Sequence, residues 1–119
     1  MGMNVIEGGN STQTGPIALL AGAQASRAAN ALLAACLSAA AQGDLSAYFD
    51  LGVAYSTGSH GVAADLVEAH KWFNLAAVSG IIEAQHCRAE IAEEMTAREI
   101  AEAQRRARQW LNDTRRRAA

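Results

Sequence analysis

The sequence predicts an all-α protein of about five helices, arranged as helix–turn–helix repeats. Three observations support this fold class. Alanine accounts for 28 of the 119 residues, and alanine loses almost no side-chain freedom in a helix. Proline occurs once, so no proline interrupts the segments that follow it. Small residues recur at an interval of 34–37 positions, which is the length expected for stacked helical hairpins.

The composition favours one folded domain. A chain of 119 residues suffices for one domain but not comfortably for two. Charged residues make up only 18% of the chain, which argues against disorder. The glycine-rich and polar residues 1–15 are expected to be a mobile N-terminal segment, residues 16–112 a helical repeat domain, and residues 113–119 a basic C-terminal tail.

The first half of the domain contains two predicted helices. Pro16 suits the first turn of a helix, because its missing N–H has no partner there in any case. An alanine-rich helix, or two such helices in succession, then covers residues 18–41 and is ended by Gly43. A second helix over residues 45–57 begins at Asp44 or Ser46, both good N-cap residues.

Three further helices are predicted in the second half. One begins at Asp65, with Glu68 in the position of an acidic capping box, and ends at Gly80. The next covers residues 82–94. The last begins at the capping box formed by Thr96 and Glu99 and reaches about Asn112. Its buried stripe is predicted to be Ile100, Ala103, Ala107, Trp110 and Leu111.

The repeat is visible as identical or similar residues in distant segments. A shift of 37 positions places Ala39, Ala40, Gly43 and Ala47 on Ala76, Ala77, Gly80 and Ala84. A shift of 34 places Asp65, Leu66, Glu68 and Ala69 on Glu99, Ile100, Glu102 and Ala103. One such hairpin cannot bury its own apolar face, so neighbouring hairpins are expected to stack. Trp72 and Phe73 are expected to fill the gaps that the small residues leave.

Residues 47–84 resemble the Sel-one-like repeat (SLR), a relative of the tetratricopeptide repeat. The resemblance rests on Ala47, Leu51, Gly52, Tyr55, Gly58, Gly61, Asp65, Ala69, Trp72, Phe73, Ala76, Ala77, Gly80 and Ala84. Residues 95–104 also resemble the terminal helix of small bacterial proteins of this type. The chain departs from the family in having two residues between Gly58 and Gly61, and in having Ala35 and Cys36 where the preceding repeat would carry the aromatic pair.

The resemblance implies a short right-handed α-solenoid and a function in binding. Such repeats hold partner proteins or peptides on a helical groove, so we expect a non-enzymatic adaptor or scaffold without a cofactor. Positions not assigned to packing are the candidate partner-binding residues: Tyr48, Asp50, Val53, His70, Asn74 and His86, with Ser56 and Glu90 as further candidates. Tyr48 is the strongest of them, because exposed aromatic residues are frequent at binding hot spots. The alternative for Tyr48 is packing against the preceding helix.

The histidines and cysteines do not predict a catalytic or metal site. His86 and Cys87 are adjacent, so on a helix their side chains point about 100° apart and cannot readily hold one ion. The same divergence argues against a cysteine–histidine nucleophile. No glycine-rich phosphate loop is present in the chain.

The distribution of charge leaves a second function open. Residues 1–96 carry a net charge of −6, whereas residues 97–119 carry seven arginines against three acidic residues. The alternative to the adaptor is therefore a nucleic-acid-associated protein that uses its C-terminal arginines. We expect no membrane span, a cytoplasmic location, and pairing of two copies through the alanine-rich helix.

Overall fold

A computed structural model describes residues 16–59 and 61–118, and these residues form five α-helices without a strand. The helices are α1 (Pro16–Ala41), α2 (Leu45–Thr57), α3 (Leu66–Val78), α4 (Ile82–Ala92) and α5 (Ala97–Ala118). The prediction of an all-α fold is confirmed for this part of the chain. The segment 1–15, which was expected to be mobile, and His60, which was expected in an exposed turn, lie outside the described residues.

Hydrogen-bonded caps start three of the helices as the sequence predicts. The Asp44 carboxylate accepts the Ser46 amide at 3.1 Å, and the Asp65 carboxylate accepts the amides of Val67 and Glu68 at 3.0 and 3.2 Å. Thr96 and Glu99 form the reciprocal capping box, with bonds of 2.8 and 3.1 Å. These bonds satisfy amides that have no partner within the helix.

Two local predictions are wrong. Glu68 does not close a capping box with Asp65, because its carboxylate bonds instead to Arg106 on α5 at 2.8 Å. The last helix does not end near Asn112 but continues to Ala118. Arginine is a good helix former, and three arginines in the last turn interact favourably with the negative end of the helix dipole.

The turns after α1 and α3 repeat one backbone structure. Gly43 and Gly80 have φ angles of 95° and 107°, which other residues adopt only with strain. The amides of these glycines bond to carbonyls three residues back, at 3.1 and 3.0 Å, and the following amides bond five residues back, at 3.0 and 3.1 Å. Both turns are therefore Schellman motifs. The same pattern of backbone hydrogen bonds therefore recurs 37 residues apart, which is the interval seen in the sequence.

The core is centred on α3, which packs against α2, α4 and α5. Trp72 and Phe73 are 1% and 2% exposed. The Trp72 ring lies 4.8 Å from that of Trp110 on α5, and the Phe73 ring lies 5.7 Å from that of Phe49 on α2. Small buried residues complete the contacts: Ala47, Ala69, Ala76, Ala84, Ala103 and Ala107. The predicted packing role of the aromatic pair and the alanines is confirmed.

Candidate functional site

An apolar groove lies between α1 and α2. Its volume is about 330 Å³. Helix α1 contributes Leu32, Leu33 and Cys36; helix α2 contributes Asp50, Leu51, Val53 and Ala54; and Val62 lines it from the segment between α2 and α3.

The local structure explains why this groove forms. The glycine turn at Gly43 folds α1 back onto α2, so that Leu33 and Leu37 pack against the core. Leu51 is buried in the groove at 1% exposure, whereas Leu32 and Val53 remain 55% and 36% exposed. Large apolar side chains that stay open to solvent around a concave surface are typical of a binding site.

Asp50 is the one charged side chain that lines the groove, and it is exposed. A carboxylate beside apolar side chains can accept hydrogen bonds from a cationic group of a ligand. The groove therefore suits a ligand that presents an apolar group next to a positive charge. No group of histidine, cysteine or acidic residues within the described part of the chain is arranged to hold a metal ion.

Two of the six predicted binding residues, Asp50 and Val53, line this groove. Tyr48 does not, and the expectation that it is exposed is wrong. It is 7% exposed, its ring lies 5.9 Å from that of Trp72, and its hydroxyl accepts a hydrogen bond from Trp110 Nε1 at 3.4 Å. These contacts place Tyr48 in the core with α3 and α5, so Tyr48 is a packing residue.

The remaining three predicted residues lie on α3 and α4. His70 is 3% exposed, so its expected position on the surface is wrong. Its Nδ1 atom has no hydrogen-bond partner among the described residues, and burial together with nearby Arg88 lowers its pKa. Asn74 is half-buried and accepts a bond from Arg88 at 2.6 Å. His86 is exposed on α4 and does not line the groove.

Sequence reasoning missed Leu32, Leu33 and Cys36 as site residues because they match the apolar stripe of α1. A signal was nevertheless present. The stripe is widened by Leu33 and Leu37, and it is broader than a single neighbouring helix covers. Among the described residues, α1 has one main neighbour, α2, and part of the stripe is not covered by it.

A second cluster, of charged residues, joins α3 to α5. Arg106 bonds to Glu68 at 2.8 Å and to Glu102 at 2.7 Å, and Arg105 bonds to Glu102 at 2.8 Å. Hydrogen bonds from Arg105 and Arg106 lower the pKa of Glu102 to about 2. The carboxylates of Glu68 and Glu102 therefore partly neutralise the charges of these two arginines, which are not simply solvated by water. The spacing of three and four positions from Glu102 makes its two pairs predictable from the sequence, but the pair between Glu68 and Arg106 is not, because these residues are 38 positions apart.

Comparison with protein families, with curated proteins and with solved structures found no match to this chain. Within the described residues, every helix is too short or too polar to cross a membrane. Exposed alanines line α1 at positions 28, 31, 34 and 35, and pairing of two copies through this helix stays a prediction.

Proposed function

We propose that this protein is a non-enzymatic interaction module that binds a segment of a partner protein in the groove between α1 and α2. The observation that carries the proposal is the open apolar groove of about 330 Å³, around which Leu32 and Val53 remain exposed. Leaving such side chains in water is unfavourable, and covering them on binding recovers about 25 cal/mol for each Å² of apolar surface.

The repeated turns support the resemblance to SLR proteins and the proposed solenoid arrangement. Two Schellman motifs 37 residues apart each join one helix to the next. Stacked hairpins of this kind present continuous surfaces on which other proteins bind.

The chemistry of the cysteines supports a binding function over catalysis. Burial, followed by the charges of Glu90 and Glu83, raises the pKa of the Cys87 thiol. A raised pKa disfavours the thiolate, which is the nucleophilic form of cysteine. Cys36 lines the groove among apolar side chains, and neither of the two described histidines, His70 and His86, is among the residues lining it.

The lining defines the kind of partner segment. One large apolar side chain would enter the groove, and a neighbouring lysine or arginine would pair with Asp50. The apolar contact supplies most of the affinity, because exposed ion pairs contribute little. The charge mainly selects among partner sequences.

Selection from a library of random peptides tests this proposal and does not require that the partner be identified first. We expect enriched peptides to combine a large apolar residue with a nearby basic residue. Their affinity should fall about tenfold or more for Val53→Glu, which places a charge in the groove. Val78→Glu is the matched control, because Val78 is 68% exposed and lies outside the groove.

Asp50→Asn tests the charge separately. This substitution should lower the affinity for peptides that carry a basic residue more than the affinity for peptides in which that residue is neutral. The proposal is refuted if no enriched peptide distinguishes Val53→Glu from Val78→Glu while both variants remain folded.

The alternative, association with nucleic acid, draws its support from the end of α5. Arg115, Arg116 and Arg117 are exposed there on consecutive positions. Under this alternative, affinity for duplex DNA or RNA falls steeply as the salt concentration rises. Alanine at all three positions should reduce the slope of log affinity against log salt concentration by roughly 0.9 for each phosphate that is no longer neutralised. Absence of binding at about 150 mM salt removes the alternative.

A further inference from the structure

A second cavity, of about 150 Å³, lies between α3 and α5. Lys71 lines it from α3, and Arg105, Arg106, Gln109, Trp110 and Asp113 line it from α5. It shares no residue with the α1–α2 groove. Three of its six lining side chains are cationic, and Trp110 forms an aromatic wall.

Two carboxylates hold the arginine side chains of this cavity in fixed orientations. Arg105 donates to Glu102 through Nε at 2.9 Å and through Nη2 at 2.8 Å. Arg106 donates to Glu102 through Nε at 2.7 Å and to Glu68 through Nη1 at 2.8 Å. Arg105 Nη1 and Arg106 Nη2 have no hydrogen-bond partner among the described residues. Guanidinium groups held in this way lose little further freedom when they bind an anion.

Lys71 is also held in place. Its Nζ atom lies 4.3 Å from the ring centre of Trp72, 5.5 Å from that of Trp110 and 3.5 Å from the Glu68 carboxylate. Attraction between an ammonium group and an indole face keeps the charge near the cavity. An ammonium group has three N–H donors, and the single contact to Glu68 does not use them all.

We propose that this cavity binds a phosphate group. The unused N–H groups are donors, so the ligand must supply acceptors, and arginine is well suited to the oxygens of phosphate. The charges of Lys71, Arg105 and Arg106 are balanced by Glu68, Glu102 and Asp113, so the proposal rests on the N–H donors and not on a surplus of positive charge. A phosphate group offers three acceptor oxygens, so it can accept from Lys71, Arg105 and Arg106 together, whereas a carboxylate offers two.

Asp113 sets a limit on the affinity and supplies a direct test. Its carboxylate lines the cavity and accepts a bond from Gln109 at 3.0 Å. The negative charge of Asp113 repels an incoming anion. Asparagine retains an oxygen for the bond from Gln109 but removes the charge, so Asp113→Asn should bind phosphate more tightly than the wild-type protein.

Titration of the full chain with inorganic phosphate and with a phosphoserine peptide tests the proposal, with calorimetry and tryptophan fluorescence as readouts. Arg105→Gln should weaken binding about tenfold, the loss expected for a charged hydrogen bond. Arg108→Gln is the matched control, because this neighbouring arginine is exposed and does not line the cavity. The Arg105 side chain is 58% exposed, so circular dichroism of the variant should match that of the wild-type protein.

The comparison of ligands identifies the source of the phosphate. Tighter binding of the phosphoserine peptide than of free phosphate supports a protein ligand, and equal binding supports a free oxyanion. Sodium acetate and the unphosphorylated peptide should bind more weakly than inorganic phosphate and than the phosphoserine peptide. The proposal is overturned if neither phosphate ligand binds, if Arg105→Gln and Arg108→Gln behave alike, or if Asp113→Asn does not bind more tightly.

Discussion

Replacing Gly52 by alanine is expected to destabilise the fold, although alanine is the better helix former. Gly52 is buried in the middle of α2. A β-carbon at this position would lie 2.5, 2.6 and 2.9 Å from Cδ1, Cε1 and Cγ of Phe73. Real β-carbons essentially never approach other atoms so closely, so either the ring or the helix must move.

The magnitude follows from two opposing effects. Alanine in place of glycine within a helix gains about 1 kcal/mol. Overpacking of a well-packed core costs about 1–3 kcal/mol. The upper end of that range applies here, because Phe73 is 2% exposed and its ring also faces Phe49 at 5.7 Å. The expected net loss is about 1–2 kcal/mol of unfolding free energy, a large share of the roughly 5–15 kcal/mol typical of a domain.

Urea unfolding followed by far-ultraviolet circular dichroism measures this loss. Ala101→Gly on the exposed face of α5 is the matched control, because it reports the helix preference without a clash. Phe73→Leu combined with Gly52→Ala completes a double-mutant cycle. The smaller side chain should relieve the contact, so the two changes together should cost less than their sum.

Two results would contradict this reasoning. One is a Gly52→Ala protein at least as stable as the wild type. The other is additivity of Gly52→Ala and Phe73→Leu, since additivity would mean that the ring and the new methyl group do not meet.

Three further outcomes follow from the described contacts. Thr96→Ala removes one half of the capping box and should lower the free energy of unfolding, measured by urea unfolding, by about 1 kcal/mol. Tyr48→Ala should cost about 3 kcal/mol or more because the side chain is in the core, whereas Val53→Ala, at an exposed groove position, should cost far less; equal costs would contradict the burial of Tyr48. Burial and Arg88 lower the pKa of His70 below 6.5, so the unfolded chain takes up a proton more readily. Stability is then complete above about pH 6.5 and falls as the pH drops below it. His70→Asn should abolish this fall, as measured by urea unfolding at a series of pH values from about 6.5 downward.

The ends of the helices could largely be predicted from the sequence. The capping box at Thr96 and Glu99 and the glycine turns at Gly43 and Gly80 involve atoms that are only a few positions apart. Their geometry therefore depends on local residue types. Glu68 marks the limit of such reasoning, because a distant arginine competes successfully for its carboxylate.

The candidate site was only partly predictable. Asp50 and Val53 were identified as positions that the packing pattern of α2 does not use, and both line the groove. Tyr48 and His70 met the same criterion but are buried. Helical periodicity assigns a residue to a face, and it does not say how many neighbouring helices cover that face.

The amino-acid sequence alone determined that the chain is helical, where most helices begin and end, and that small and aromatic residues pack together, because these properties depend on neighbours along the chain. Only the tertiary structure decided which surfaces remain open. α3 packs against three helices. The side chains of His70 on α3 and of Tyr48 on the neighbouring α2 are therefore shielded from solvent. α1 packs mainly against α2, so the apolar residues at Leu32 and Val53 stay exposed. The number of helices that meet at each face is set by contacts between residues far apart in sequence.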